Sequence, residues 1–441
     1  MKHLLFIHTA GDPRDYVERL RNLGFRSSLI KMSPVDADRL CFDRVFDLDY
    51  QEDLDAAMAC ARRLHGQDPI DGVLSFSESG VIAASMAAAE LGLPGNHPRA
   101  ALRARNKYLM RSVLRQAGID SPPFHLVRTA GEIVHCLAGM NQPMVLKPLS
   151  GSSSYGVIRL NPQDGLDTID AHLQAVQTYI REYRRKNPQY PFEFWLPEAG
   201  RGILAEDVYQ PEDTFLLEGF LPGRQVSVDG MVCDGQVSCF GVIEVERIRD
   251  TDYFLEYEEW MPTRLGPDVE RRIKAVVVRA VHAIGLTRSC FHCELKVDGD
   301  RIAVLEIAAR RGADNIADFI RRLFAVDIYA ENARLAVGEQ RLHPEGRCRG
   351  AMKMRYFIPA TSGRLAGVEG VDEVRADPRV SELVLEFEPG DTVLKPPAGF
   401  EFLGYLSVLA SSLEEADAVL EELYPRVRFH IAPQAGDPES P

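Results

Sequence analysis

The chain has 441 residues, 45% of them hydrophobic and 26% charged, and carries a formal net charge of -14. That length supports two or three domains with more than one sizeable core, and the hydrophobic share is that of an ordinary soluble globular protein. The acidic balance argues against a nucleic-acid partner, which needs clustered Lys and Arg, but leaves room for a small phosphorylated ligand held by a few local cations.

The N-terminus, MKHLLFIHTAGDPRDY, reaches acids and a proline too soon for a signal peptide, and no apolar run approaches the ~20 residues of a membrane helix. Eight scattered cysteines read as reduced thiols in a cytoplasmic protein. Cys290-Phe291-His292-Cys293 is short of a zinc site, because no second Cys pair follows at zinc spacing.

In chain order, HLLFIHTAG is a buried-type strand, Tyr16, Val17, Leu20 and Leu23 follow at helical spacing, and RSSLIKM is a second strand. DGVLSFSESGVIAASMAAAELGLPG repeats the strand–loop–helix theme. Such alternation implies a parallel sheet covered by helices, so residues 1–104 are expected to form a small doubly wound α/β domain. NKYLMRSVLRQAGIDSPPF is a helix ended by Gly118 and stopped by Pro122-Pro123. Residues 124–215 mix strands with a polar excursion, REYRRKNPQYPFEFWLPEAGRG. From 215 to about 340 the sequence is strand-rich with one long helix, DVERRIKAVVVRAVHAIGL; residues 341–430 read as an α+β part, and 431–441 as a disordered tail.

Three stretches carry chemistry. FLLEGFLPGRQVSVDG, residues 215–230, reads on its own as a β-hairpin; the alternative is a hinge presenting backbone groups and the lone acid Glu218 to a flat polar ligand. In PMVLKPLSGSSSYGVIRL an apolar strand delivers Lys147 to a Gly-Ser-rich loop whose N–H and hydroxyl groups could close over phosphate oxygens; a plain surface turn is the other reading. It is not a Walker loop, because the Lys precedes the loop and a strand follows. In FHCELKVDGDRIAVLEIAARRGADN, an Asp298-Gly299-Asp300 turn joins two strands bearing Glu294 and Glu306. Those acids can face each other and share Mg²⁺ or simply meet solvent; their apolar strand contexts, CELKV and VLEIA, make unpaired carboxylates costly.

The order of these parts resembles the ATP-grasp superfamily over roughly residues 1–410, most closely the L-amino acid ligases, which join amino acids through an acyl phosphate. The resemblance implies an ATP-grasp fold: an N-terminal doubly wound domain, an ATP-grasp domain over 105–340 with a lid at about 124–215, and a strand-rich C-terminal part. Lys107 and Lys147 match its phosphate-facing lysines, Ser153 and Ser154 its loop over the phosphates, and Glu218, Gly219, Phe220 and Leu221 the hinge whose backbone meets adenine. Gln225 stands where a Glu commonly binds the ribose. Glu294 and Glu306 match the Mg²⁺ carboxylates, with Mn²⁺ as an alternative ion. Ala308 replaces a frequent metal-binding Asn, although ESAAR-like variants occur among amino acid ligases. Arg310 matches the arginine that holds the acyl phosphate, its planar fork suiting oxyanions.

The resemblance further implies ATP-dependent carboxylate–amine ligation with small-molecule substrates, and a homodimer by analogy. Glu256, Glu259, His292, Arg310, Arg311, Gly312 and Asp314 fall among its substrate-binding positions. Glu259 stands where some relatives carry His, and Asp314 where a bulky aromatic can wall the pocket, so a basic amino acid meeting Asp314 or Glu259 is one expectation; solvated surface acids are the other. Competing functions are a nucleotide-precursor or bicarbonate-activating ATP-grasp enzyme, and a non-catalytic ATP-binding regulator.

Overall fold

The computed structural model describes residues 1–433 apart from 10, 52, 141, 152–155, 187–213, 249–250, 252–253, 314, 340–341, 343–345, 347, 397 and 400–401. Strands Lys2–Ile7, Phe25–Lys31, Arg44–Asp47 and Gly72–Leu74 form a parallel sheet in which Lys2–Ile7 pairs with both the second and the fourth strand. Alternate residues serve opposite faces. Leu4, Phe6 and Leu29 pack with Tyr16, Val17 and Leu20 of helix Arg14–Asn22, while Leu5, Ile7 and Ile30 pack under helices Leu54–Gln67 and Val81–Glu90. The expected doubly wound domain is present. Its strand order reverses between the first and fourth strands, and ligands of such sheets bind in the crevice beyond the carboxyl ends at that reversal.

An eight-stranded antiparallel sheet dominates the rest, in the order Arg301–Ala308, Arg288–Asp298, Arg224–Cys233, Gln236–Arg247, Glu256–Met261, Ala351–Phe357, Gly404–Ala410, Val380–Leu385. One face (Val226, Val228, Val232, Phe291, Cys293, Leu295) packs on helix Pro267–Ile284 through a stripe of Ile273, Val277, Ala280, Val281 and Ile284. Pro267 opens that helix and Gly285, at φ 90°, ends it in the left-handed conformation that glycine tolerates. Burial of each large aliphatic in the stripe stabilises by roughly 1.5–3 kcal/mol. On the other face Met231, Cys233 and Cys290 are covered by helices Ile316–Phe324 and Ile328–Ala336, and the polar residues nearer the other strand ends are left for a cavity. Cys290 and Cys293 thus belong to cores on opposite faces and cannot share an ion.

Three expectations change. Phe215–Gly219 lies in a separate four-stranded sheet with Phe124–Val127, Met144–Pro148 and Ile158–Leu160, so residues 215–230 cross between two sheets instead of forming a hairpin. At the crossing Gly223 has φ 95°, and a Cβ there would lie 2.3 Å from the Val297 carbonyl oxygen; only glycine fits. The large sheet runs through the expected boundary near 340, because Ala351–Phe357 pairs directly with Glu256–Met261. Residues 431–433, expected in a disordered tail, pair with Gly363–Leu365 in strand Arg428–Pro433; alternating Phe429 and Ile431 bury against the C-terminal core.

Candidate active site

A cavity of about 1660 Å³ opens between the polar face of the large sheet, the four-stranded sheet and the carboxyl ends of the N-terminal strands. Lys107 begins helix Lys107–Gln116, whose cap Asn106 accepts from the N–H groups of Tyr108 and Leu109 at 3.1 Å. Its Nζ donates to Glu306 Oε1 at 2.9 Å and to the Gly151 carbonyl at 3.0 Å. One turn on, fully buried Arg111 donates from Nε to Glu218 Oε2 at 2.9 Å and from Nη2 to the Leu305 carbonyl at 2.6 Å. Lys147, on strand Met144–Pro148, also pairs with Glu218. Burial pushes the Lys147 ammonium below its ordinary pKa. Burial also opposes ionisation of Glu218, but Arg111 and Lys147 outweigh it and hold that carboxyl below the usual range. Glu218 is therefore held by protein cations, and the hinge is left with backbone to offer.

Glu294 and Glu306 stand directly opposite each other on neighbouring strands, as the sequence suggests. Gln225 donates from Nε2 to Glu256 Oε1 at 3.1 Å and to Glu294 Oε2 at 3.4 Å, and its own Oε1 is buried without a partner. A glutamate there would crowd a third carboxylate against two others, whereas the amide donates to both. His292, paired in register with Ala308, has Nδ1 at 2.8 Å from Asp229 Oδ2 and Nε2 at 3.6 Å from Glu294 Oε1. Burial opposes its charge, yet the two carboxylates raise its pKa to about 10, which favours the protonated ring. Asp229 also accepts the Gly312 N–H at 2.6 Å.

Mg²⁺ commonly takes one or two protein carboxylates and completes its octahedron with water and phosphate oxygens. Two facing, half-buried glutamates fit that pattern, and among the described residues no group of three or more His, Cys, Asp and Glu could enclose a metal alone. The Gln225 Oε1 beside them is buried without a donor, which suits a ligand hydroxyl or a water held by the metal.

Arg310 lies two residues past the end of strand Arg301–Ala308, its Nε 3.1 Å from Glu78 Oε1; the other oxygen of Glu78 accepts from Arg105 at 2.9 Å. Glu256 and Glu259 both line the cavity although three residues apart on one strand, where alternation would oppose them. A β-bulge at Tyr257 restores them to one side and turns Glu258 toward Lys353 and Arg355. Glu259 is buried with the Tyr356 hydroxyl at 3.5 Å. Phe220 stacks on Phe254 with centroids 6.3 Å apart, and the Arg159 and Arg247 guanidinium groups lie over the two rings.

Every site residue expected from the sequence that falls among the described residues lines this one cavity, including Gly219, Phe220, Leu221, Arg311 and Gly312. Ser153, Ser154 and Asp314 lie outside the described residues, as does much of the polar excursion at 181–202. Sequence reasoning missed Arg111, Asp229 and Glu78. Arg111 is four residues after Lys107 on one helix, and Asp229 continues the polar alternation Gln225, Ser227, Asp229; both are periodic signals. Glu78 sits just past the fourth parallel strand, at the reversal crevice.

Residues 26–95 match the ATP-grasp N-terminal domain, 202–318 the ATP-grasp domain, and 355–432 the L-amino acid ligase C-terminal domain 2. The uncharacterized protein y4rH of Sinorhizobium fredii is 24% identical over 98% of this chain and 83% of its own length. Alanine–anticapsin ligase of Bacillus subtilis is 26% identical over 60% of this chain, which spans only 54% of that protein. The crystal structure of L-amino acid ligase from Bacillus licheniformis superposes with a TM-score of 0.81 at 22% identity, covering 98% of this chain and 99% of that one. Fold, site and domain matches together define an ATP-grasp protein. Within that class the chain is L-amino acid ligase-like, through its C-terminal domain and overall architecture.

Proposed function

We propose that the protein is an ATP-dependent carboxylate–amine ligase that joins two amino-acid-type substrates through an acyl phosphate, releasing ADP and phosphate. The observation that carries this reading is the cavity itself: facing Glu294 and Glu306, buried Lys107 and Lys147, and Arg310 converge on one space large enough for a nucleotide and two small substrates. Mg²⁺ bound between the glutamates and ATP would neutralise the phosphate oxygens. Lys107 and Lys147 orient the γ-phosphoryl group toward a substrate carboxylate, and Phe220, Phe254 and the backbone at 219–221 hold the adenine. Gln225 serves the ribose as a neutral donor and acceptor. Arg310, positioned by Glu78, steadies the acyl phosphate and the charge that develops as the amine attacks. The segment at about 124–215, with Ser153 and Ser154, closes over the phosphates so that water does not hydrolyse the acyl phosphate.

The L-amino acid ligase C-terminal match favours amino-acid ligation over nucleotide-precursor or bicarbonate chemistry. ADP release measured with amino acids singly and in pairs tests the proposal. Release only with pairs, accompanied by a dipeptide-mass product, is expected. Nucleotide binding without turnover on any pair points instead to a regulator.

A further inference from the structure

Arg311 is 6% exposed, and no carboxylate among the described residues comes within ion-pairing distance of it. The other buried arginines behave differently: Arg105 pairs with Glu78, Arg111 with Glu218, and Arg355 with Glu258. Arg311 instead donates from Nη1 to the Gly312 carbonyl at 2.6 Å, and its Nε is buried with no acceptor. The guanidinium lies 4.7 Å over the Tyr329 ring, which stacks on Tyr16 with centroids 4.9 Å apart at 9°. Arg19 lies over the same Tyr329 ring at 5.4 Å but is paired with Asp327 at 3.1 Å. Asp15 also lines the cavity and feels the Arg311 charge, but it makes no ion pair with Arg311.

A buried guanidinium with no ion-paired carboxylate among the described residues is costly, and a cation–π contact offsets only part of that cost. Such an arrangement persists where an anion from outside completes it. The aromatic stack fixes the plane of the fork, which suits a carboxylate.

We propose that Arg311 is a specificity-determining residue that binds a substrate carboxylate other than the one activated for ligation. Placement favours the α-carboxylate of the attacking amino acid. Arg310 and Arg311 are consecutive and line one cavity. An amine within about 3–3.5 Å of the acyl group at Arg310 therefore carries its own carboxylate, two bonds away, toward Arg311. The inference rests on the ligase reading only in assigning that carboxylate to the amine substrate; binding itself needs no turnover.

The test is calorimetric titration of wild type, Arg311→Met and Arg311→Lys with amino acids and their α-amides, with Mg²⁺ and a non-hydrolysable ATP analogue present. Met keeps the apolar stem over Tyr329 and removes the charge. Wild type is expected to bind acids at least about 10-fold tighter than amides; Arg311→Met should weaken the acids about 10- to 100-fold and leave the amides within about threefold. Arg311→Lys should fall between. The melting midpoint of unliganded Arg311→Met should be unchanged or raised, where a merely structural arginine would lower it. If the variant loses the glutamate-over-glutamine preference but keeps that of alanine over alaninamide, the carboxylate belongs to a side chain. Equal losses for acids and amides, discrimination retained in Arg311→Met, or no acid binding tighter than its amide in wild type overturns the inference. Carboxylate-dependent binding without ADP release would remove the ligase reading and leave Arg311's role standing.

Discussion

Glu218 separates what holds this site together from what the site does. Arg111, Glu218 and Lys147 form a buried group of two cations and one acid, leaving one positive charge over. Glu218→Gln strips both cations of their counter-ion and should destabilise the fold by about 3–5 kcal/mol, the cost of breaking a buried pair. Lys147→Met leaves the Arg111–Glu218 pair intact and removes the surplus charge, so stability should change by less than about 1 kcal/mol. Its effect should appear on the ligand: losing a desolvated contact to phosphate weakens ATP binding or the transition state by about 2–5 kcal/mol, roughly 30-fold or more. Urea unfolding and nucleotide titration of the two variants side by side give the comparison. Lys147→Met turning over within a factor of two of wild type refutes the phosphate role. Lys147→Met as unstable as Glu218→Gln refutes the charge argument.

Glu306→Gln keeps the shape and removes the charge that a hard cation prefers, so turnover should collapse. Because Glu306 also pairs with buried Lys107, the melting midpoint should fall too, but by less than in Glu218→Gln, whose acid is more deeply buried; normal rates at low Mg²⁺ would make Glu306 an ordinary strand residue. His8 lines the cavity end of the first strand, and burial, aided by the charge of Lys31, lowers its pKa to about 4. The unfolded chain then binds more protons than the fold between pH 4 and 6.5, so stability should be greatest above 6.5 and fall by up to about 3 kcal/mol as the pH approaches 4. His8 has φ 64°, which asparagine tolerates, and His8→Asn should flatten that slope in melts at several pH values; an unchanged slope counts against the burial argument. Asp314→Asn, assayed with basic and neutral amino acids, should slow only the basic ones if that acid reads substrate charge; equal or absent losses exclude it.

The fold was legible where periodicity and punctuation agree. Alternating strands and helices gave the doubly wound domain, and the Asp298-Gly299-Asp300 turn set Glu294 opposite Glu306. The partition of residues 215–230 between two sheets was not legible, because a Pro-Gly break looks the same whether the chain folds back or crosses over. Sequence reasoning also tied Lys147 and Glu218 to separate motifs. Their pairing through Arg111 joins strands and a helix distant in sequence, which no local pattern reports.

The departures from the ATP-grasp pattern become intelligible only with the bulges in view. One at Tyr257 brings Glu256 to the cavity face, and another beside Glu294 sets the register of Glu306. With Glu256, Glu294 and Glu306 already on that face, a fourth acid at 225 would join a cluster whose neighbouring cations are already engaged: Lys107 is bonded to Glu306, Arg247 lies 3.6 Å from Glu256, and Lys296, in register with residue 225, is in the field of Glu294 and Glu256. A neutral Gln225 donating to two of the acids is the arrangement that charge permits. The same reasoning applies at 308, where the partner in register is the His292 ring, whose protonated form Asp229 and Glu294 favour. A methyl group there leaves Glu294 as the acceptor nearest that ring on the cavity side, and Asp229 holds the ring from the other nitrogen. Gln225 and Ala308 are thus parts of one charge cluster with Glu256, Glu294, Glu306, Lys107 and His292.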